Sequence, residues 1–134
     1  MRVVIDTNVI ISGLYDPASM PGRILDAGIA GKLMLCAPES VRVELKRVLA
    51  RVLGFTPPET WEALQSLKIE WIPASIYAPG LEAAKAMVRD EDDAPVLACG
   101  LILGCDIVSG DKDLQVVQSS KIRIWTPAEL ERQR

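Results

Sequence analysis

Five short apolar runs rich in β-branched residues recur along the chain, at 3–5, 33–36, 69–72, 107–109 and 122–125. The stretches between them carry helix punctuation instead of strand signals. Segment 22–30 stops at Gly31, 38–53 stops at Gly54, 58–67 begins on Pro58, and 93–103 begins on an acid and stops at Gly104. Weaker helical patterns cover 81–88, 111–117 and 127–132. Strands alternating with helices in this way predict an α/β protein with a mostly parallel sheet of about five strands. At 134 residues the chain is the length of a single domain, and its 49% apolar content is enough for a real core.

Composition removes several chemistries. The chain has no histidine, so serine-histidine and cysteine-histidine catalysis and imidazole metal sites are excluded. Cys36, Cys99 and Cys105 form neither a disulfide framework nor a C-x-x-C motif, and read as core thiols of a reducing, cytoplasmic setting. The chain opens Met1-Arg2 and enters a strand at once, with no signal-peptide pattern. The longest uncharged apolar run, from Ala94 to Cys105, is 12 residues, too short for a membrane span and suited to a buried helix. The net charge of −3 argues against nonspecific nucleic-acid binding unless the acids are concentrated in one site, which would leave the remainder net cationic.

In an open parallel sheet, ligands bind beyond the carboxyl ends of the strands, where strand order reverses. Asp6 follows V-V-I, Asp111 follows I-V-S-G, and Asp93 opens the buried helix that leads back to that strand. Within 38–53, Val41, Leu45, Val48 and Val52 form an apolar stripe widened by Leu49 and Leu53, and Glu44 falls on its border with Arg47 and Arg51 along the same edge. Each acid also has an ordinary reading. Asp93 and Asp111 suit helix N-caps, and Glu44 suits an i,i+3 partner for Arg47. Asp6 is harder to explain that way, because an acid after a buried strand is costly without a ligand or several donors. Four carboxylates converging on one point repel, and a divalent cation with oxygen ligands, Mg²⁺ or Mn²⁺, resolves that repulsion. Such ions support phosphodiester cleavage.

The runs V-V-I-D-T-N-V-I (3–10), V-E-L around Glu44, R-D-E-D-D-A-P-V-L-A (89–98) and V-S-G-D-K-D-L (108–114) resemble the successive motifs of PIN domains. The likeness is nearest to the small bacterial and archaeal PIN proteins similar to VapC, toxins of toxin-antitoxin pairs. The resemblance implies a three-layer α/β/α fold and Mg²⁺- or Mn²⁺-dependent ribonuclease activity. By position, Asp6, Glu44, Asp93 and Asp111 match the family's metal-binding carboxylates and Asp113 an auxiliary acid. Asn8 and Ser109 match the small polar residues that orient them, with serine where threonine is more usual. Asp93 is preferred to Asp92 for its place directly before A-P-V-L-A. The resemblance further implies an RNA substrate, an antitoxin partner and a homodimer or higher oligomer.

In this reading Asp6, Asp93 and Asp111 hold the ion, Glu44 assists through water or a second ion, and hydrolysis leaves a 5′-phosphate and a 3′-hydroxyl. Arg47 and Arg51 are candidates for holding the RNA backbone, or else solvated helix-face charges. The scattered aromatics offer no stacking stripe, and Trp61 and Trp71 read as core or dimer contacts. Loops at 16–21 and 54–58 border the expected site. Three competing readings are a Mg²⁺-binding receiver domain, a phosphatase of the haloacid-dehalogenase type, and a PIN fold that binds a partner with little catalysis. The first lacks an acidic pair after the first strand and a lysine after the last. The second finds Asn8 where its second acid belongs.

Overall fold

The computed structural model describes residues 1–117 and 119–134. Strands β1 (Arg2–Ile5), β2 (Met34–Pro38), β3 (Ile69–Ile72), β4 (Asp106–Val108) and β5 (Ile124–Trp125) form one sheet in the order β3-β2-β1-β4-β5. Every pairing is parallel. β1 lies at the centre with Val3, Val4 and Ile5 fully buried, as a parallel strand covered on both faces must be. Strand order reverses at β1, which pairs with β2 on one side and β4 on the other.

Helices α1 (Thr7–Tyr15), α2 (Met20–Ile29), α3 (Glu39–Arg51) and α4 (Pro57–Ser66) connect β1 to β2 and β2 to β3. They pack on one another as one layer, joined by the C-terminal helix against α2. The other layer is built by the short α5 (Ala74–Tyr77), a 3₁₀ turn at Ala78–Gly80, α6 (Leu81–Met87) and α7 (Ala94–Leu103). α7 touches β1, β2 and β4 and is apolar nearly all round, which suits a helix enclosed on most sides. It ends at Gly104, whose φ of 64° is the left-handed conformation of a helix stop. α8 (Lys112–Gln115) and α9 (Pro127–Gln133) complete the chain. Among the described residues, no helix is long and apolar enough to cross a membrane.

The five predicted strands and the three-layer α/β/α arrangement are present, with boundaries shifted by up to two residues. Three differences have physical causes. The T-N-V-I-I-S-G-L-Y segment, unassigned from sequence, is α1, which starts because the Asp6 carboxylate accepts the Val9 N–H at 3.1 Å. The helix expected over 111–117 contracts to one turn. Val52, expected in the apolar stripe, is the cap residue of α3 and 71% exposed, whereas Val41, Leu45 and Leu49 are buried. Cys36, Cys99 and Cys105 are free and buried, and burial pushes Cys36 up to about 11 and Cys99 to about 12, so both stay protonated thiols.

Both sheet edges are short. On β3, Glu70 takes the Arg2 guanidinium at 2.7 Å and Pro73 ends the strand. β5 has two residues, its Trp125 indole N–H donates to Asp106 at 3.0 Å, and Arg123 lies 3.6 Å over the ring.

One close approach fixes how the turn after α1 meets α2. A Cβ on Gly22 would sit 2.6 Å from the Pro17 carbonyl carbon and closer still to its oxygen. Gly22→Ala is expected to destabilise by about 1–3 kcal/mol, despite the roughly 1 kcal/mol that alanine gains within a helix. Gly110→Ala, where a Cβ meets nothing within 4 Å, is expected to be neutral or slightly stabilising. Urea unfolding of both variants checks the pair.

Candidate functional site

The register that joins Ile5 to Val108 sets the carboxyl ends of β1 and β4 side by side. Each strand then delivers an acid, Asp6 directly and Asp111 three residues on. Between them stands Ser109, fully buried. Its hydroxyl donates to Asp6 Oδ2 and accepts the Asp111 N–H at 2.9 Å, so one side chain fixes both loops. Asp6 Oδ1 caps α1, and Asp111 Oδ1 accepts the Asp113 N–H at 2.8 Å to cap α8.

Asp93 is held differently. It stands at the N-cap position of α7, as predicted, but Asp90 before it caps the 3₁₀ turn Glu91–Asp93, its carboxylate accepting the Asp92 N–H at 3.0 Å. Asp93 closes that turn with no capping bond, and its Oδ2 is buried without a hydrogen-bond partner. A buried carboxylate oxygen left unpaired is expensive. Burial comes first, then repulsion from Asp111 and Asp90, the closeness of the Asp111 carboxyl, which favours the protonated form, and repulsion from Asp6. Together they push Asp93 up to about 7. Asp6 is also raised, mainly by burial, against its bonds from Ser109 and Val9, with Asp111 and Glu44 adding repulsion.

These groups open onto a cavity of about 490 Å³ lined by Asp6, Glu44, Asp93 and Asp111, with Asp90, Glu91 and Asp92 on the side of α7. Glu44 reaches it from α3, one turn beyond Ser40 and one before Arg47. Arg47 is the one cation among the described lining residues, and no ion pair engages it there. The expected Glu44–Arg47 pair is absent among the described residues, where Glu39 pairs with Arg42 at 3.4 Å instead.

Other predicted positions separate. Asp113 does not line the cavity and lies 3.9 Å from Arg89, and Arg51 is likewise outside the lining. Asn8 does line the cavity, at its exposed rim, but among the described residues its side chain makes no bond to the acids, a role that Ser109 fills. Asp92 is exposed whereas Asp93 is drawn inward. Ser40 was missed from sequence, although its i,i+4 spacing from Glu44 was a usable signal.

Among the described residues, no three acidic or cysteine side chains are gathered tightly enough to hold an ion as they stand. The donor chemistry nonetheless suits a hard cation. The groups are all oxygen, mutually repelling, and include one buried oxygen with nothing to bind.

A family model described as PIN domain matches residues 4–133. The chain belongs to the PIN domain family. It is 31% identical over 116 residues to the uncharacterized protein MJ1680 of Methanocaldococcus jannaschii, covering 85% of this chain and 73% of that one. Three solved structures share its fold. One is VapBC2 from Rickettsia felis bound to a DNA fragment from its promoter (TM-score 0.68, 11% identity, 94% of this chain and 98% of that one). Another is a toxin-antitoxin complex from Klebsiella pneumoniae (0.68, 17%, 93% and 97%). The third is FitAcB from Neisseria gonorrhoeae (0.60, 18%, 96% and 99%). Membership in the PIN family sets aside the receiver and phosphatase readings.

The acid cavity has a signature in pH. Asp6 and Asp93 both bind protons more tightly folded than unfolded, so their stabilising effect is full below the ordinary carboxyl value of 3.8 and is lost as pH rises toward 7. In EDTA, wild type is expected to lose thermal stability between about pH 4 and 7, and Asp93→Asn to lose clearly less. Melting curves across that range decide it, and parallel declines would remove Asp93 from the cavity's electrostatics.

Proposed function

We propose that this PIN domain is a divalent-metal-dependent ribonuclease, and that it is the toxin of a toxin-antitoxin pair. The observation that carries the first part is the buried, partnerless Asp93 oxygen facing Asp6 and Asp111 at the point where strand order reverses. Repelling carboxylates kept together without a neutralising cation are what a resident ion makes sense of. The toxin role is supported by the likeness to VapBC2 and to the Klebsiella pneumoniae toxin-antitoxin complex, whose partner proteins suggest an antitoxin here.

Asp6, Asp93 and Asp111 would hold Mg²⁺ or Mn²⁺, with Glu44 assisting from α3. When bound, such an ion lowers the pKa of water and neutralises charge on a phosphoryl group. Ser109 holds the Asp6 carboxylate and the Asp111 N–H through one hydroxyl, so the two loops that carry these acids are joined. Asp90, Glu91 and Asp92 wall one side and repel the polyanion, so Arg47 on the opposite wall is placed to take a backbone phosphate.

Purified protein is expected to cleave RNA with Mn²⁺ or Mg²⁺ and to stop with EDTA. Asp6→Asn is expected to lose at least ~10²-fold in kcat/KM, since a ligand charge goes while shape is kept. Wild-type turnover in that variant would overturn the assignment, and a wild-type protein that binds a partner but cleaves nothing would favour an interaction module.

Metal affinity gives a second test. Mn²⁺ at about 100 times its Kd is expected to stabilise wild type by about 2.7 kcal/mol, and Asp93→Asn and Asp111→Asn to lose most of that gain. Equal stabilisation in all three would mean that these acids are not ligands.

The two arginines are expected to differ. Arg47→Ala should weaken RNA binding and flatten its salt dependence by about one phosphate contact, while Arg51→Ala changes neither. Binding titrations over a salt series measure both slopes.

A further inference from the structure

On the far side of α3 from the acid cavity lies a second cleft, of about 370 Å³, between α3 and α4. Its apolar surface comes from Phe55, Leu64 and the indole of Trp61, and its rim carries Arg42 and Lys46 with no acid in the lining. Trp61, expected in the core or a dimer contact, is 64% exposed. Thr60, in the same wall, is a buried residue. A large exposed aromatic plane beside Lys46, which makes no ion pair among the described residues, suits a ligand that is flat and anionic.

The cleft is joined to the acid cavity. Val43, Lys46, Arg47 and Ala50 form the exposed crest of α3, with Arg47 on the cavity side and Lys46 on the cleft side. A nucleic-acid strand leaving the cavity is repelled by Asp90, Glu91 and Asp92 on one wall and attracted by Arg47 on the other, so electrostatics sends it over this crest. A helix is about 10 Å across, a span that a single strand covers in about two to three nucleotides.

We propose that the α3–α4 cleft is a base-binding subsite for single-stranded RNA, in which Trp61 stacks a base about two to three nucleotides from the cleaved bond, Lys46 holds the adjoining phosphate and Thr60 meets the base edge. This deepens the ribonuclease reading and rests on it. The site takes any base by its face, with Thr60 and Gln65 at the wall available to discriminate base edges.

The test is cleavage, with Mn²⁺, of a short fluorescein-labelled single-stranded RNA and of derivatives carrying one abasic site stepped away from the cleaved bond. In wild type, one abasic position on one side of that bond is expected to raise KM about tenfold with kcat little changed, as lost stacking should. Trp61→Ala should raise KM by a similar factor on intact RNA and become indifferent to that position, while Trp61→Phe keeps most of the affinity. Lys46→Ala should raise KM for every derivative and reduce the salt slope. Cleavage with an unaltered KM in Trp61→Ala would overturn the subsite and leave the ribonuclease reading standing. If wild type cleaves no RNA, that reading fails, and anisotropy of the same labelled RNA judges the cleft alone. Weaker binding in Trp61→Ala then supports it, and equal or absent binding overturns it. Two outcomes give the cleft to another occupant and overturn the proposal. One is a glutamate-flanked leucine helix peptide that needs Trp61 while RNA does not, and the other is a dimer that dissociates in Trp61→Ala.

Discussion

Two parallel strands, paired through Ile5 and Val108, end together and each runs on into an aspartate, and the fold has to bury those charges without driving them apart. Ser109 meets much of that demand, since its single hydroxyl serves both loops and the Asp6 oxygens receive one donor each. The helix starts at Val9 and Asp113 supply further N–H donors. Asp93 receives none at its buried oxygen. The stability of the sheet centre and the strain at the site therefore have one origin, the adjacency of β1 and β4.

The sheet was readable from sequence because parallel strands buried on both faces are continuous apolar runs, and all five stood out between helix stops. α1 was not readable, because V-I-I is as strand-like as V-V-I, and only the Asp6 side chain accepting from Val9 turns the chain into a helix. α5 and the 3₁₀ turn after it fell between Pro73 and Pro79, where no repeating pattern is long enough to register.

For the site, convergence was legible and division of labour was not. The acids predicted as caps and the acid predicted as free of capping partly exchange places. Asp6 and Asp111 cap helices, while Asp93 stands at the N-cap position of α7 and makes no capping bond. Spacing along a chain cannot show which of four consecutive acids turns inward. Nor can it tell Arg47 from Arg51, which share a helix edge but stand a turn apart, so that only one reaches the cavity. That Trp61 lies outside the core was not legible for a related reason, since an aromatic residue in an amphipathic helix is usually the buried one.

The two short sheet edges bear on how the chain survives its own folding. Parallel sheets of long-range pairings form slowly, and apolar strands such as these are liable to recruit copies of themselves while they wait. β5 offers two residues to such a neighbour, beneath a stacked arginine. β3 offers four, interrupted by an ion-paired glutamate and closed by proline. Strand addition finds little template on either side, which protects against aggregation at the places where a β-rich centre is most vulnerable.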